Sequence, residues 1–250
     1  MSTARIAAHV RRCPRACLAV LVTAALLVSC SDGGLPNGDD DGATTAPWFG
    51  TATMGTITGA TLNATEINVL LGYTGDITEL EITVAGPNAL GLERTLTEPN
   101  PLVRFVFIEG VQDLLPSGEY QIRVVGDGAD RSWLIVFDAD VTLNAPSVEV
   151  TAAGASAVTL GWEPVAGALS YTALLRPTAD LTEVVEGSRR ETTDPLAESI
   201  VLDDLALDAG AEYVAYVFAY DDTAPSDPTL TPRQVNASFG LTPPFSPNAD

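Results

Sequence analysis

The chain of 250 residues contains no lysine: all 12 basic residues are arginine, they face 33 Asp and Glu, and the formal net charge is -21. So little positive charge excludes binding to phosphate backbones, which rests on clustered cations. The missing lysine also excludes a Walker-type nucleotide loop. Histidine occurs once, as His9, and cysteine three times, as Cys13, Cys17 and Cys30. General-base catalysis near neutral pH most often uses His, and nucleophilic Ser or Cys sites usually pair with it. Residues 31–250 hold neither His nor Cys, so that chemistry, disulfides and His/Cys zinc sites are all excluded there. What the chain does have is apolar matter. A hydrophobic fraction of 46% is enough to build cores and sets the chain apart from disordered acidic sequences.

The N-terminus carries Arg5, Arg11, Arg12 and Arg15 and no acid, followed by the apolar run Ala16 to Val28. Charged-then-apolar is the order of a secretory leader. The run is 13 residues long and is followed at once by Asp32, two glycines and Asp39-Asp40-Asp41, too short for the ~20 residues of a membrane span. At its end, Leu27-Val28-Ser29-Cys30 closely resembles the lipobox of bacterial lipoprotein signal peptides. The resemblance implies cleavage before Cys30, a diacylglyceryl group on its sulfur and an acylated amine; several acyl chains anchor stably where one binds only marginally. Ser31 stands where the resemblance associates Asp with inner-membrane retention, which implies the outer membrane in a two-membrane cell. Cleavage removes four of the twelve arginines and no acid, leaving 8 basic residues against 33 acidic ones. The implied address is the cell envelope, outside the cytoplasm.

Organisation follows. Residues 1–29 read as the leader, and 30–47, rich in Gly, Asp, Pro, Asn, Ser and Thr, as a flexible tether. Beyond it, short runs rich in Val, Ile, Thr and Leu recur between Gly, Pro, Asn and Asp, with no sustained 3.6-residue period. Strands are predicted near Thr51–Thr58, Glu66–Tyr73, Ile77–Val84, Leu92–Leu96, Leu102–Ile108, Tyr120–Val125 and Ser132–Phe137. After Asn144-Ala145-Pro146 a second series follows near Val148–Thr151, Ala157–Trp162, Ser170–Arg176, Thr182–Val185, Ser199–Leu202, Tyr213–Tyr220 and Arg233–Phe239. Seven strands suit one sandwich. The expected fold is all-β, with two tandem sandwiches over 48–143 and 146–241 and a tail over 242–250.

In the second series, Val158-Thr159-Leu160-Gly161-Trp162-Glu163-Pro164 with Gly167 and Tyr171, and Leu207, Gly210 and Tyr213 further on, resemble a fibronectin type III module. The resemblance implies a core Trp162 and a tyrosine corner at Tyr213, whose hydroxyl bonds backbone just upstream. Leu115-Pro116-Ser117-Gly118-Glu119-Tyr120 looks like a similar corner one residue shorter, which makes the first series immunoglobulin-like.

Candidate sites are few. Asn37, Asp39, Asp41 and Gly42 match the start of an EF-hand loop, but Trp48 stands where the twelfth-position Glu belongs, so they read as tether. Asp138 and Asp140, at the junction, are the candidate calcium ligands, against the plainer reading of an exposed acidic turn. With Tyr213 inward, alternation places Ala215, Val217 and Ala219 in the core and Val214, Tyr216, Phe218 and Tyr220 outside. Tyr216, Phe218 and Tyr220 form an aromatic stripe needing cover: the other sandwich or its loops, a partner chain, or a sugar stacked on the rings. A free stripe favours a binding or adhesion module for an envelope protein or glycan. A buried one favours a structural spacer. Glycosidase-like chemistry, or an accessory module of such an enzyme, needs two carboxyls within ~10 Å across a cleft, which small sandwiches do not present. The expectation is a lipid-anchored envelope protein whose sandwiches bind or adhere without catalysis, with a structural spacer, then a carbohydrate-active enzyme or its accessory module, as the alternatives, and with no cofactor other than calcium.

Overall fold

β-Branched runs broken by turn residues become strands, as their pattern requires. The computed structural model describes residues 48–60, 62–73, 79–97, 105–107, 114–225, 229 and 231–248. The leader, Cys30 and the tether lie outside the described residues. The first half holds β1 (Trp48–Thr58), β2 (Asn63–Tyr73), β3 (Glu79–Gly86), β4 (Leu90–Thr97), β5 (Phe105–Phe107), β6 (Gly118–Gly126) and β7 (Ala129–Phe137). The second holds β8 (Val148–Ala153), β9 (Val158–Trp162), β10 (Ser170–Pro177), β11 (Arg190–Thr192), β12 (Ser199–Leu202), β13 (Tyr213–Tyr220), β14 (Arg233–Gln234) and β15 (Ala237–Leu241). Among the described residues, one 3-10 turn at Pro87–Ala89 interrupts the β structure.

Two sandwiches result. In the first, β1 and β2 lie over a four-stranded sheet ordered β4-β3-β6-β7, and Met54, Ile67, Leu80, Ile82, Ile122 and Phe137 fill the space between them. In the second, β10, β13 and β15 lie over a three-stranded sheet ordered β12-β9-β8, around Leu160, Trp162, Tyr171, Leu175 and Val217. Both tyrosine corners are formed. The Tyr120 hydroxyl donates to the Pro116 carbonyl at 2.8 Å, and the Tyr213 hydroxyl accepts from the Asp208 amide at 3.0 Å. Trp162 is buried against Tyr171, ring centroids 5.3 Å apart.

Two strands differ from expectation. No strand forms at Thr182–Val185; the Asp180 carboxylate instead accepts from the Thr182 amide and hydroxyl at 2.9 and 2.6 Å. This side-chain turn competes with extended pairing, and the strand appears later as β11, beside β10. The last strand is split at Val235 and Asn236 into β14 and β15, both of which pair with β1.

That pairing joins the halves. β15 runs parallel to β1, with Ile57 opposite Ala237, and β14 continues along it, with Thr53 opposite Arg233. One sheet therefore runs β11-β10-β13-β15-β1-β2-β5 through both sandwiches. Residues after β15 are paired as well: Tyr213 and Phe245 exchange backbone hydrogen bonds at 2.8 and 2.9 Å.

Candidate functional site: the seam between the sandwiches

The seam is built around a glycine. At Gly55 in β1, any Cβ would overlap the carbonyl of Val235, the residue at which the last strand breaks. The close approach lets the Val235 amide reach the Met54 carbonyl at 3.0 Å. Asn236, beside it, turns inward and is 2% exposed. Its Oδ1 accepts from the Thr56 amide at 2.9 Å and from Gln234 Nε2 at 2.8 Å. The Asp221 carboxylate holds the same Asn236 through its amide and Nδ2, at 2.8 and 2.5 Å.

Gln234 carries this network across to β7. Its side-chain amide accepts from the Asp138 amide and donates to the Asp138 carbonyl, both at 2.8 Å, as a neighbouring peptide group would. The linker from Asp138 to Ser147 is held too. Thr56 and Thr58 donate to the carbonyls of Val141 and Leu143, and Ser238 to that of Asn144, at 2.7, 2.5 and 2.7 Å. Asn236→Ala removes one acceptor and strands the buried Thr56 amide, so urea denaturation should show a loss of about 2–3 kcal/mol. An unchanged midpoint would mean the network contributes nothing.

The aromatic stripe lies at this seam. Ala215, Val217 and Ala219 are in the second core, as alternation places them, and Tyr216, Phe218 and Tyr220 are on the other side of the sheet. They are not an open face. Their exposures are 3%, 4% and 8%, and they belong to a third apolar cluster with Ile57 and Ala64 of the first half, Phe239, Val235 and Leu174. Phe218 stacks between Tyr216 and Tyr220 at centroid distances of 6.2 and 6.4 Å, with Phe239 at 5.7 Å. Arg176, buried on β10, places its guanidinium 5.1 Å from the Tyr216 ring centroid and bonds the Leu181 carbonyl. Burial pushes the pKa of this arginine down.

Glu66 on β2, directly opposite Gly55, lies near Tyr220. Burial raises its carboxyl to about 7, opposed only by a hydrogen bond with Asn68. Burial, and then the neighbouring Glu66, also raise the Tyr220 hydroxyl.

The candidate calcium ligands have another arrangement. Asp138 is exposed, and its Oδ1 accepts from the Asp140 amide at 3.0 Å, closing a local turn. Among the described residues no three His, Cys, Asp or Glu side chains gather closely enough to hold a metal ion. A notch over Gly161 is edged by Glu149, Glu163 and Glu198, all of them exposed, where carboxylates ordinarily sit. Gly55, Gln234 and Asn236 were not singled out by their sequence. The signal was there: a glycine inside a β-branched run and two amides inside an apolar strand are residues a plain strand does not call for.

No helix among the described residues is long and apolar enough to cross a membrane. No protein-family model and no curated protein matches the chain. Solved structures do align with it. A two-domain fibronectin type III segment of chicken tenascin covers 78% of this chain and 98% of its own length, at 13% identity and a TM-score of 0.28. The FN1–FN3 domains of chicken CNTN1 cover 80% of this chain and 64% of their own, at 18% identity and a TM-score of 0.27.

Proposed function

We propose that the chain is a non-catalytic strut of the bacterial cell envelope, anchored through lipidated Cys30, whose two sandwiches form one rigid spacer at the end of the tether. The observation that carries this reading is the shared sheet with its buried stripe. A binding module would keep Tyr216, Phe218 and Tyr220 available, whereas here they are spent on joining the halves. Independent modules on a free linker would tumble relative to one another; a linker tied by Thr56, Thr58 and Ser238 opposes that. The anchor rests on Leu27-Val28-Ser29-Cys30. Adhesion to an envelope protein or glycan remains the second reading, through faces other than the stripe.

Two measurements test the proposal. Cys30→Ala should move the chain from the membrane fraction to the soluble fraction, and mass spectrometry of the native protein should find Cys30 acylated at the N-terminus. An unmodified Cys30 inside a longer mature chain refutes the anchor. For the strut, spin labels at Ala85→Cys and Ala206→Cys, both exposed positions on opposite halves, in a chain starting at Ser31, should give one narrow distance distribution. A broad distribution refutes rigidity.

A further inference from the structure

On the face of β1 and β2 turned away from the first core, Thr51, Thr53 and Gly55 stand opposite Leu70, Asn68 and Glu66. Every side chain in this patch is buried, and it is poorly satisfied: Thr51 Oγ1, Thr53 Oγ1 and Asn68 Oδ1 have no hydrogen-bond partner. Each such atom loses its water without a replacement, so the patch is sealed by a narrow margin. Glu66 is its one ionisable group, and none of the ion pairs among the described residues includes it.

We propose that Glu66 is a proton-operated lock on the seam: neutral, it stays sealed between the sandwiches, and ionised it draws water in and loosens the pairing of β1 with β14 and β15. An ionised carboxylate without a cation is costly to bury. Among the described residues, the charged and titratable groups around it offer no relief. From β13 it faces Tyr220; beyond that ring are Arg189 and Glu191, which are paired with each other at 2.5 Å. From β14, Arg233 is held by Asp222 at 2.5 Å. β1 presents Thr51, Thr53, Gly55 and Ile57 on this face, none of them ionisable. The place matters as much as the charge, because Glu66 lies across from the glycine over which the last strand passes.

The direction follows from burial, which lifts this carboxyl from 4.5 to about 7. The folded state therefore prefers the proton. The contribution is fully present below the ordinary carboxylate value and is lost as pH rises through about 7. No histidine stands among the described residues, and ordinary carboxylates titrate below this window and tyrosines above it. A shift of this size corresponds to a change of up to about 300-fold in the folded-to-unfolded ratio.

The test uses the full chain and Glu66→Gln, followed by amide hydrogen exchange at Thr56 and Val235 at about pH 6 and about pH 8.5, corrected for the intrinsic rate. The native chain should lose protection on the order of tenfold or more, and Glu66→Gln should show no such loss. Loss in both proteins, or in neither, overturns the lock. If Glu66→Gln does not fold, carbon NMR of the native Glu66 carboxyl decides instead. A midpoint near 7 supports the proposal, and one in the ordinary carboxylate range overturns it.

Discussion

Gly55→Val should split the unfolding of this protein into two transitions and lower the stability of the second half by about 3 kcal/mol or more. The new side chain would occupy the space of the Val235 carbonyl, and backbone yields far less readily than a flexible side chain. Relief requires β14 to lift off β1. That breaks the bond from Val235 to Met54 and pulls Asn236 away from Thr56. The rest of β1 keeps its antiparallel partner β2 over the full register from Trp48 to Thr58, so the first sandwich should survive. Gly91→Val is the control, since that glycine lies in a strand with open space where its Cβ would be. Scanning calorimetry separates the cases: a single unchanged transition in Gly55→Val would show that the halves do not depend on this crossing.

Phe218→Ala should cost about 3–5 kcal/mol, the usual range for emptying a buried phenylalanine site. Phe218 is the middle ring of the ladder and touches Tyr216, Tyr220 and Phe239, so the cavity left cannot be filled by one neighbour turning in. Replacing all three rings together would remove a sum comparable with the whole stability of a domain, which makes the single change the more informative one. The binding-face reading makes the opposite forecast: a ring exposed to receive a ligand could be removed with the melting curve nearly unchanged. Denaturant titration of the full chain distinguishes them.

Local pattern accounts for much of what the sequence disclosed. Period-two alternation places Tyr216, Phe218 and Tyr220 outside their own sandwich, because side-chain direction along a strand depends on nothing distant. Trp162 and the corners at Tyr120 and Tyr213 are equally local, a few residues closing on themselves. The seam is different in kind. Thr56 and Asn236 are 180 residues apart, and no short window around either hints at a parallel partner. Arg190–Thr192 became a strand without apolar alternation, held instead by β10 and by the Arg190–Asp203 ion pair. Asp138 looked like a ligand because of its charge, while its backbone is what the fold uses, as the seat of the Gln234 amide.

The parallel pairing of β1 with β14 and β15 also sets an order of events in time. A chain emerging N-terminus first delivers β1 and β2 early, and they can form their hairpin at once. The other edge of β1 must wait for residues 233–241, which lie about 180 residues further along the chain. Contacts so far apart in sequence are slow to close, and a waiting strand edge invites pairing with another copy. Until residues 233–241 arrive, the first sandwich is an unfinished sheet, and any factor that escorts the growing chain has that bare edge of β1 to guard.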